Sequence, residues 1–478
     1  MKKVLEEILD YLELKVNYAD IRLVETESEN IEVENGILSS YRVLNNKGVG
    51  IRVLVNGAWG FAASNNLDKL SLLKTATKAL VIAQASALIK KEEIKLAPED
   101  KHIATYITPI VKDSFKVNPT EKIDLLVKAT KIMLRDKVKK TEGLLNFYKI
   151  QKTFLSTEGS HLEQTIFTSG GGIAAYAIGE KDFQTRSYPS SFGGDYATSG
   201  YEFIEEIKLL ENAERISEEA NQLLFAPPAP EGIMDVVLGG SQLALQVHES
   251  CGHPVELDRV LGKEISFAGG SFLTLDKLNN FIYGSPEVTI VADATVPGGL
   301  GSFGYDDEGV PASKTYLVNR GEFSGYLMSR EDAFKLGLKS NGAARADGWK
   351  RIPLVRMTNI NLLPGNFEFD ELIGDIKQGI YLDTNKSWSI DDKRLNFQFG
   401  TEFAREIKKG RLGKIYKNAI YQGITPEFWR SCDGVSKQEH WHIWGITNCG
   451  KGQPEQVMQV GHGTSPARFR KIQVGASQ

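Results

Sequence analysis

The chain has 478 residues, 41% apolar, 25% charged and 9% aromatic, a composition that excludes disordered, collagen-like and disulfide-scaffold classes. Its 57 Lys and Arg against 61 Asp and Glu leave a formal charge of -4, too weak a field to hold a polyanion, so no nucleic-acid partner is expected. Three cysteines, Cys251, Cys432 and Cys449, are too few and odd in number for a disulfide framework, and they point to a reducing compartment.

In chain order, Val4, Leu5, Ile8, Tyr11 and Leu12 recur at helical spacing, while Glu6, Glu7 and Asp10 break the apolar run that a signal peptide needs. No apolar run is read as reaching the roughly 18 residues that cross a bilayer, so the expected address is the cytoplasm, with no membrane partner. Strands are expected at 19–25, 31–34 and 48–55, with hairpin turns at Asn35-Gly36 and Asn56-Gly57. A long apolar-periodic helix follows at 66–89, Asn118-Pro119 opens another through residue 134, and residues 148–179 return to strands. A charged helix at 202–224 runs into the proline-rich seam 225–232, FAPPAPEG. Beyond it, β-rich runs at 234–238, 288–292, 315–318, 325–328, 379–383, 396–401 and 471–474 are separated by short turns, and only 241–251, 330–336 and 368–377 look helical.

The fold class expected is therefore α+β. An N-terminal domain of helices and β-hairpins, residues 1–224, precedes a mainly antiparallel, β-rich domain, residues 225–478, that carries the helix at 241–251.

The chemistry concentrates at His248-Glu249-Ser250-Cys251-Gly252-His253, an HExxxH pattern that holds two of only seven histidines. At about 100° per residue an ideal helix turns the second histidine roughly 140° from the first, too far for both to reach one ion. Gly252 and Pro254 supply the means of loosening the helix there, and a π-type widening would return the two imidazoles to one side. A catalytic zinc takes three protein ligands and keeps one position open, which leaves one ligand to find. Cys449, in a Gly-flanked turn, is a candidate, and Cys432 and the pair His440/His442 compete with it. Cys251 reads as a neighbour of the site, and His102, His161 and His462 stand in no motif. Gly299-Leu300-Gly301-Ser302-Phe303-Gly304 matches a dinucleotide-binding pattern but runs into Asp306-Asp307-Glu308 and Pro311, where a phosphate-holding helix would have to start. The acidic cluster itself reads as a solvated turn.

These residues resemble the TldD/PmbA family of zinc metalloproteases, once described as modulators of DNA gyrase, and specifically its TldD-like catalytic branch. The resemblance is carried by the HExxxH segment with Glu256 and Asp258, by Gly301-Ser302 through Asp306-Asp307-Glu308-Gly309, by 353–359 with Leu363-Pro364-Gly365, by Cys449-Gly450-Lys451, and by residues 48–62. It implies that His248, His253 and Cys449 hold one zinc ion per chain and that Glu249 is the catalytic base. It further implies a peptide or unfolded-protein substrate, and subunits paired as a homodimer or with a PmbA-like chain. The Trp- and His-rich stretch 439–444 departs from the family pattern. The alternative is a non-catalytic, peptide-holding subunit whose zinc is structural and closed to water.

Overall fold

The N-terminal sheet is set by its two Asn-Gly dipeptides. In the computed structural model, which describes residues 1–266 and 269–477, Asn35 and Gly36 have φ of 51° and 76°, and Asn56 and Gly57 have 45° and 72°. Paired left-handed residues make the tight turns that match strand twist. They join Tyr18–Glu34 to Ile37–Val55 and that strand to Ala58–Ser64, all antiparallel. The two short strands expected at 19–25 and 31–34 form one strand of 17 residues, because Tyr18–Glu34 is paired on both sides, with Ile37–Val55 and Val138–Ser156. Polar residues between them do not interrupt it. His161–Ile178, Ile103–Ile107, Phe183–Tyr188 and Asp195–Ala197 complete an eight-stranded sheet.

Side chains alternate across this sheet. Ala19, Ile21, Ile31 and Val33 face the helices Lys2–Glu13, Lys69–Ile89, Pro119–Met133 and Leu209–Phe225 in two apolar clusters. Asn118 caps Pro119–Met133 by accepting from Thr120 N. The single helix expected at 202–224 is two, Glu202–Glu206 and Leu209–Phe225, broken where Lys208 takes φ 50°. The reading of no membrane-length apolar run is also corrected. Lys69–Ile89, with 21 residues, is long and apolar enough to cross a membrane by length and composition. Its small residues serve close packing here: Ala76, Ala79 and Ala83 are buried, and a Cβ on Gly60 would lie 2.1 Å from Ala79 O.

The strands after residue 231 form separate sheets. Gly232–Leu238 lies between Gln378–Ile390 and Ala467–Ala476, and the order continues through Ala419–Ile424 and Asn396–Lys408 to Arg411–Tyr416. Because Gln378–Ile390 also pairs with Asn396–Lys408, the path closes on itself. Only the pairing of Gly232–Leu238 with Gln378–Ile390 is parallel in this sheet among the described residues. The chain is thus the mixed helix-and-strand fold expected. Residues 325–328 form no strand, only a bridge from Leu327 to Glu256. Arg411–Tyr416, Ala419–Ile424, His442–Lys451 and Gln456–Thr464 are strands that mixed polarity hid.

The other face of the N-terminal sheet, with Asp20 and Arg22, meets this second half through buried charges. Arg52 bonds Asp20 at 2.7 Å and Glu308 at 3.0 Å, and Lys152 bonds Asp307 at 3.1 Å. The Asp306-Asp307-Glu308 cluster, expected as a solvated turn, is therefore buried between the two halves. Cations from the opposite sheet are what make that burial tolerable.

Candidate metal centre

The strand Gly232–Leu238 feeds directly into the helix Gly240–Val247, which is buried along its length from Ser241. Polar anchors fix it: Gln242 Nε2 donates to Tyr421 Oη, which donates to Gln246 Oε1, each at 2.9 Å. The helix then widens. His253 N donates to His248 O at 3.1 Å, an i to i+5 bond, over the π-helical turn His248–Gly252. Gly252 permits this, since a Cβ there would lie 2.2 Å from Met357 Sδ.

The widening brings the rings of His248 and His253 to 4.9 Å between centroids, perpendicular to one another. Cys449 Sγ lies 3.9 Å from His253 Nε2, and the donor atoms of the three residues fall within 4.8 Å of one another. It is the one such group of three among the described residues. Cys449 does not sit in the turn expected for it. It lies in the strand His442–Lys451, beside an irregularity between Ile446 and Cys449.

Hydrogen bonds fix which ring nitrogens are free. His462 Nδ1 faces Ile360 O at 3.3 Å, and a carbonyl only accepts, so His462 Nε2 is the acceptor for His248 Nδ1–H at 2.8 Å. His253 Nδ1–H donates to Glu256 Oε2 at 3.0 Å. Both histidines therefore keep the Nε2 lone pair, as metal-ligating histidines do when the other nitrogen is engaged. Glu256 is itself held by Lys451 at 3.4 Å and Arg259 at 3.5 Å. Burial lowers the pKa of both imidazoles and the charge of Arg394 lowers it further, which keeps them neutral. For Cys449 burial favours the thiol, but the guanidinium of Arg356 opposes it, and the pKa falls. Two neutral imidazoles and a thiol biased toward thiolate are a donor set that fits zinc.

The cluster lines a cavity of about 230 Å³ that both halves of the chain build. Glu249, Arg394, Trp388 and Trp444 share its wall with Ser191 and Phe192, which come from the N-terminal half. Glu249 Oε2 accepts from Arg394 Nη1 in a short ion pair.

The competing ligands lie elsewhere. Cys432 and Cys251 are buried in the apolar core, where burial pushes each thiol up to about 12. His440, in a short turn rather than on a shared strand, reaches Glu368, and His442 reaches Asp195. His462 and Arg394 had no motif to reveal them: each meets the helix across more than a hundred residues of chain. The glycine-rich segment at 299–304 opens no helix, and Gly301 N donates to Asn359 Oδ1.

A mixed α/β chain in which two histidines flanking a π-turn and a distant cysteine converge in a cleft has the donor set of a metal centre. Comparison with known families agrees. The model of the PmbA/TldA metallopeptidase C-terminal domain matches residues 231–476, and that of PmbA/TldA metallopeptidase domain 1 matches residues 19–83. A metalloprotease of Methanocaldococcus jannaschii is 32% identical over 96% of this chain and 97% of its own. A metalloprotease TldD homolog of Haemophilus influenzae is 27% identical over 97% of this chain and 93% of its own. A Thermotoga maritima structure, solved under the description of a DNA-gyrase modulator, superposes with a TM-score of 0.77 at 19% identity, over 99% of each chain. The chain belongs to the PmbA/TldD metallopeptidase family.

Proposed function

We propose that the chain is a zinc-dependent peptidase of the TldD-like branch, in which His248, His253 and Cys449 hold one ion per chain and Glu249 is the general base. The observation that carries this reading is the convergence of the three donors on the wall of a cavity that also holds Glu249. Three protein donors leave a position open, whereas a structural zinc is closed by four, which favours catalysis over a peptide-holding role. When bound, the zinc supplies Lewis acidity to a water and to the scissile carbonyl.

The chain's own residues do the rest. Glu249 takes the water proton, holds it on its carboxylate and delivers it to the leaving nitrogen. His462 and Glu256 keep the two imidazoles in the required tautomer and orientation. The strand His442–Lys451 offers backbone along the cavity, to which an extended peptide adds as a further strand. In this reading residues 1–224 and 225–478 are two domains whose meeting surface closes one side of the cleft. The substrate is a peptide or an unfolded segment, met in the cytoplasm without nucleic acid or membrane. The subunit works as a homodimer or beside a PmbA-like chain.

The test is Glu249→Gln. The variant is expected to keep its zinc and to lose peptide hydrolysis by about 10²-fold or more. A variant as active as the parent removes Glu249 from the role of base.

A further inference from the structure

We propose that Arg394 is a catalytic residue of the same site, its guanidinium taking the negative charge that develops on the oxygen of the scissile carbonyl. The proposal rests on the peptidase reading and adds to it the group that no motif marks.

Arg394 stands at the tip of the hairpin between Gln378–Ile390 and Asn396–Lys408, with φ 63°. The tip is held from several sides. Asp391 accepts from Leu395 N at 2.8 Å and Asn396 N at 3.0 Å, Arg394 N donates to Asp391 O at 2.8 Å, and Thr425 Oγ1 donates to Arg394 O at 2.9 Å. Its side chain thus enters the cavity from a fixed backbone, as a donor must if reorganisation is not to add to the barrier. Nη1 is engaged by Glu249, whereas Nε is buried with no hydrogen-bond partner among the described residues. A buried donor of a cation left without an acceptor is costly. A planar fork of five donors can serve a second oxygen beside the first.

The charges then follow the proton. Water oxygen bonds to the carbonyl carbon, the carbonyl π pair moves onto its oxygen, and Glu249 takes the proton released. At that moment Arg394 loses the anion it was paired with, and a new anion appears on the substrate. The oxygen pair then re-forms the C=O bond, the C–N bond breaks, and Glu249 returns its proton to nitrogen, giving a carboxylic acid and an amine. Arg394 pairs with Glu249 again.

The experiment compares the zinc-loaded full chain with Arg394→Ala and Arg394→Lys on an internally quenched peptide, with zinc content measured on each. Arg394→Ala is expected to keep its zinc, to hold KM within about threefold and to lose about 10²- to 10³-fold in kcat. Arg394→Lys retains more than the alanine variant, and added guanidinium ion restores part of kcat to Arg394→Ala but none to Glu249→Gln. An Arg394→Ala protein with kcat within threefold of the parent, with its loss confined to KM, or without zinc overturns the proposal and leaves the peptidase reading standing. A zinc-loaded parent that hydrolyses no peptide overturns both.

Discussion

Cys449 and Cys432 are both almost fully buried, yet their thiols are shifted in opposite directions by what stands beside them. Around Cys432 burial dominates and pushes the thiol up to about 12, the behaviour of a small core hydrophobe. Around Cys449 burial is opposed by Arg356, whose Nη2 donates to the cysteine's own carbonyl oxygen, and the pKa falls. Metal binding asks for the thiolate, so only the second environment suits a ligand. Cys449→Ser is therefore expected to lose most of its zinc on dialysis against a chelator, while Cys432→Ser keeps the parent's content. Equal metal content in the two, measured by atomic absorption, would remove Cys449 from the ligand set.

At the scale of an element, the decisive feature is a single turn. HExxxH carries one residue more between its histidines than a regular helix tolerates, and the sequence contains the remedy, because Gly252 and Pro254 mark where the helix must loosen. That local part of the site is legible from His248 to His253. His462 and Arg394 are not, since His462 arrives on a strand paired with His442–Lys451 and Arg394 on the tip of a hairpin of the larger sheet, and the long-range packing that brings each to the helix has no local signature. The same contrast runs through the fold. The Asn-Gly turns and the capped helix at Asn118 are written in neighbouring residues, whereas His442–Lys451 and Gln456–Thr464, rich in glycine and polar residues, become strands only by pairing with each other. If the small size of Gly252 is what permits the widened turn, Gly252→Ala must push Met357 aside. The expected cost is about 1 to 3 kcal/mol of stability, with weaker zinc retention as His253 is displaced. Adding Met357→Ala to that chain gives the new methyl room and should recover zinc retention without recovering stability, because the shortened side chain leaves a cavity. Urea unfolding and metal content of the two variants test this together. Unaltered zinc and stability in Gly252→Ala would sink the account.

For the whole molecule, the two halves meet through ionisable groups excluded from water, and sequence reasoning missed this because an acidic triplet such as Asp306-Asp307-Glu308 gives no sign that Arg52, Lys152 and Arg22 will face it. Most of these carboxylates have a cation in contact, but burial raises the pKa of both Asp306 and Glu402, and Glu402 is the one that stands apart from the triplet. Glu402, on Asn396–Lys408, accepts from Ser187 N at 2.7 Å and Ser187 Oγ at 2.8 Å, while Arg186, its Nη1 farther off at 3.8 Å, also pairs through Nε with Glu219 and through Nη2 with Asp383. Burial outweighs these partners and raises the pKa to about 7 from 4.5. A carboxyl whose folded pKa lies above its unfolded value contributes stability that is complete below about 4.5 and is lost as the pH rises through about 7. The difference is worth about 3 kcal/mol between those limits. In Glu402→Gln the amide keeps both bonds, since its oxygen accepts from Ser187 N and its nitrogen donates to the Ser187 hydroxyl, but it has no proton to lose. The parent's unfolding midpoint is therefore expected to fall from pH 5 to pH 8 relative to that of the variant, most steeply between pH 5 and 7 and levelling off above that. Thermal unfolding of both proteins across that window decides it, and parallel curves would mean that Glu402 stays ionised in the folded chain and that the joint between the halves does not respond to pH through this residue.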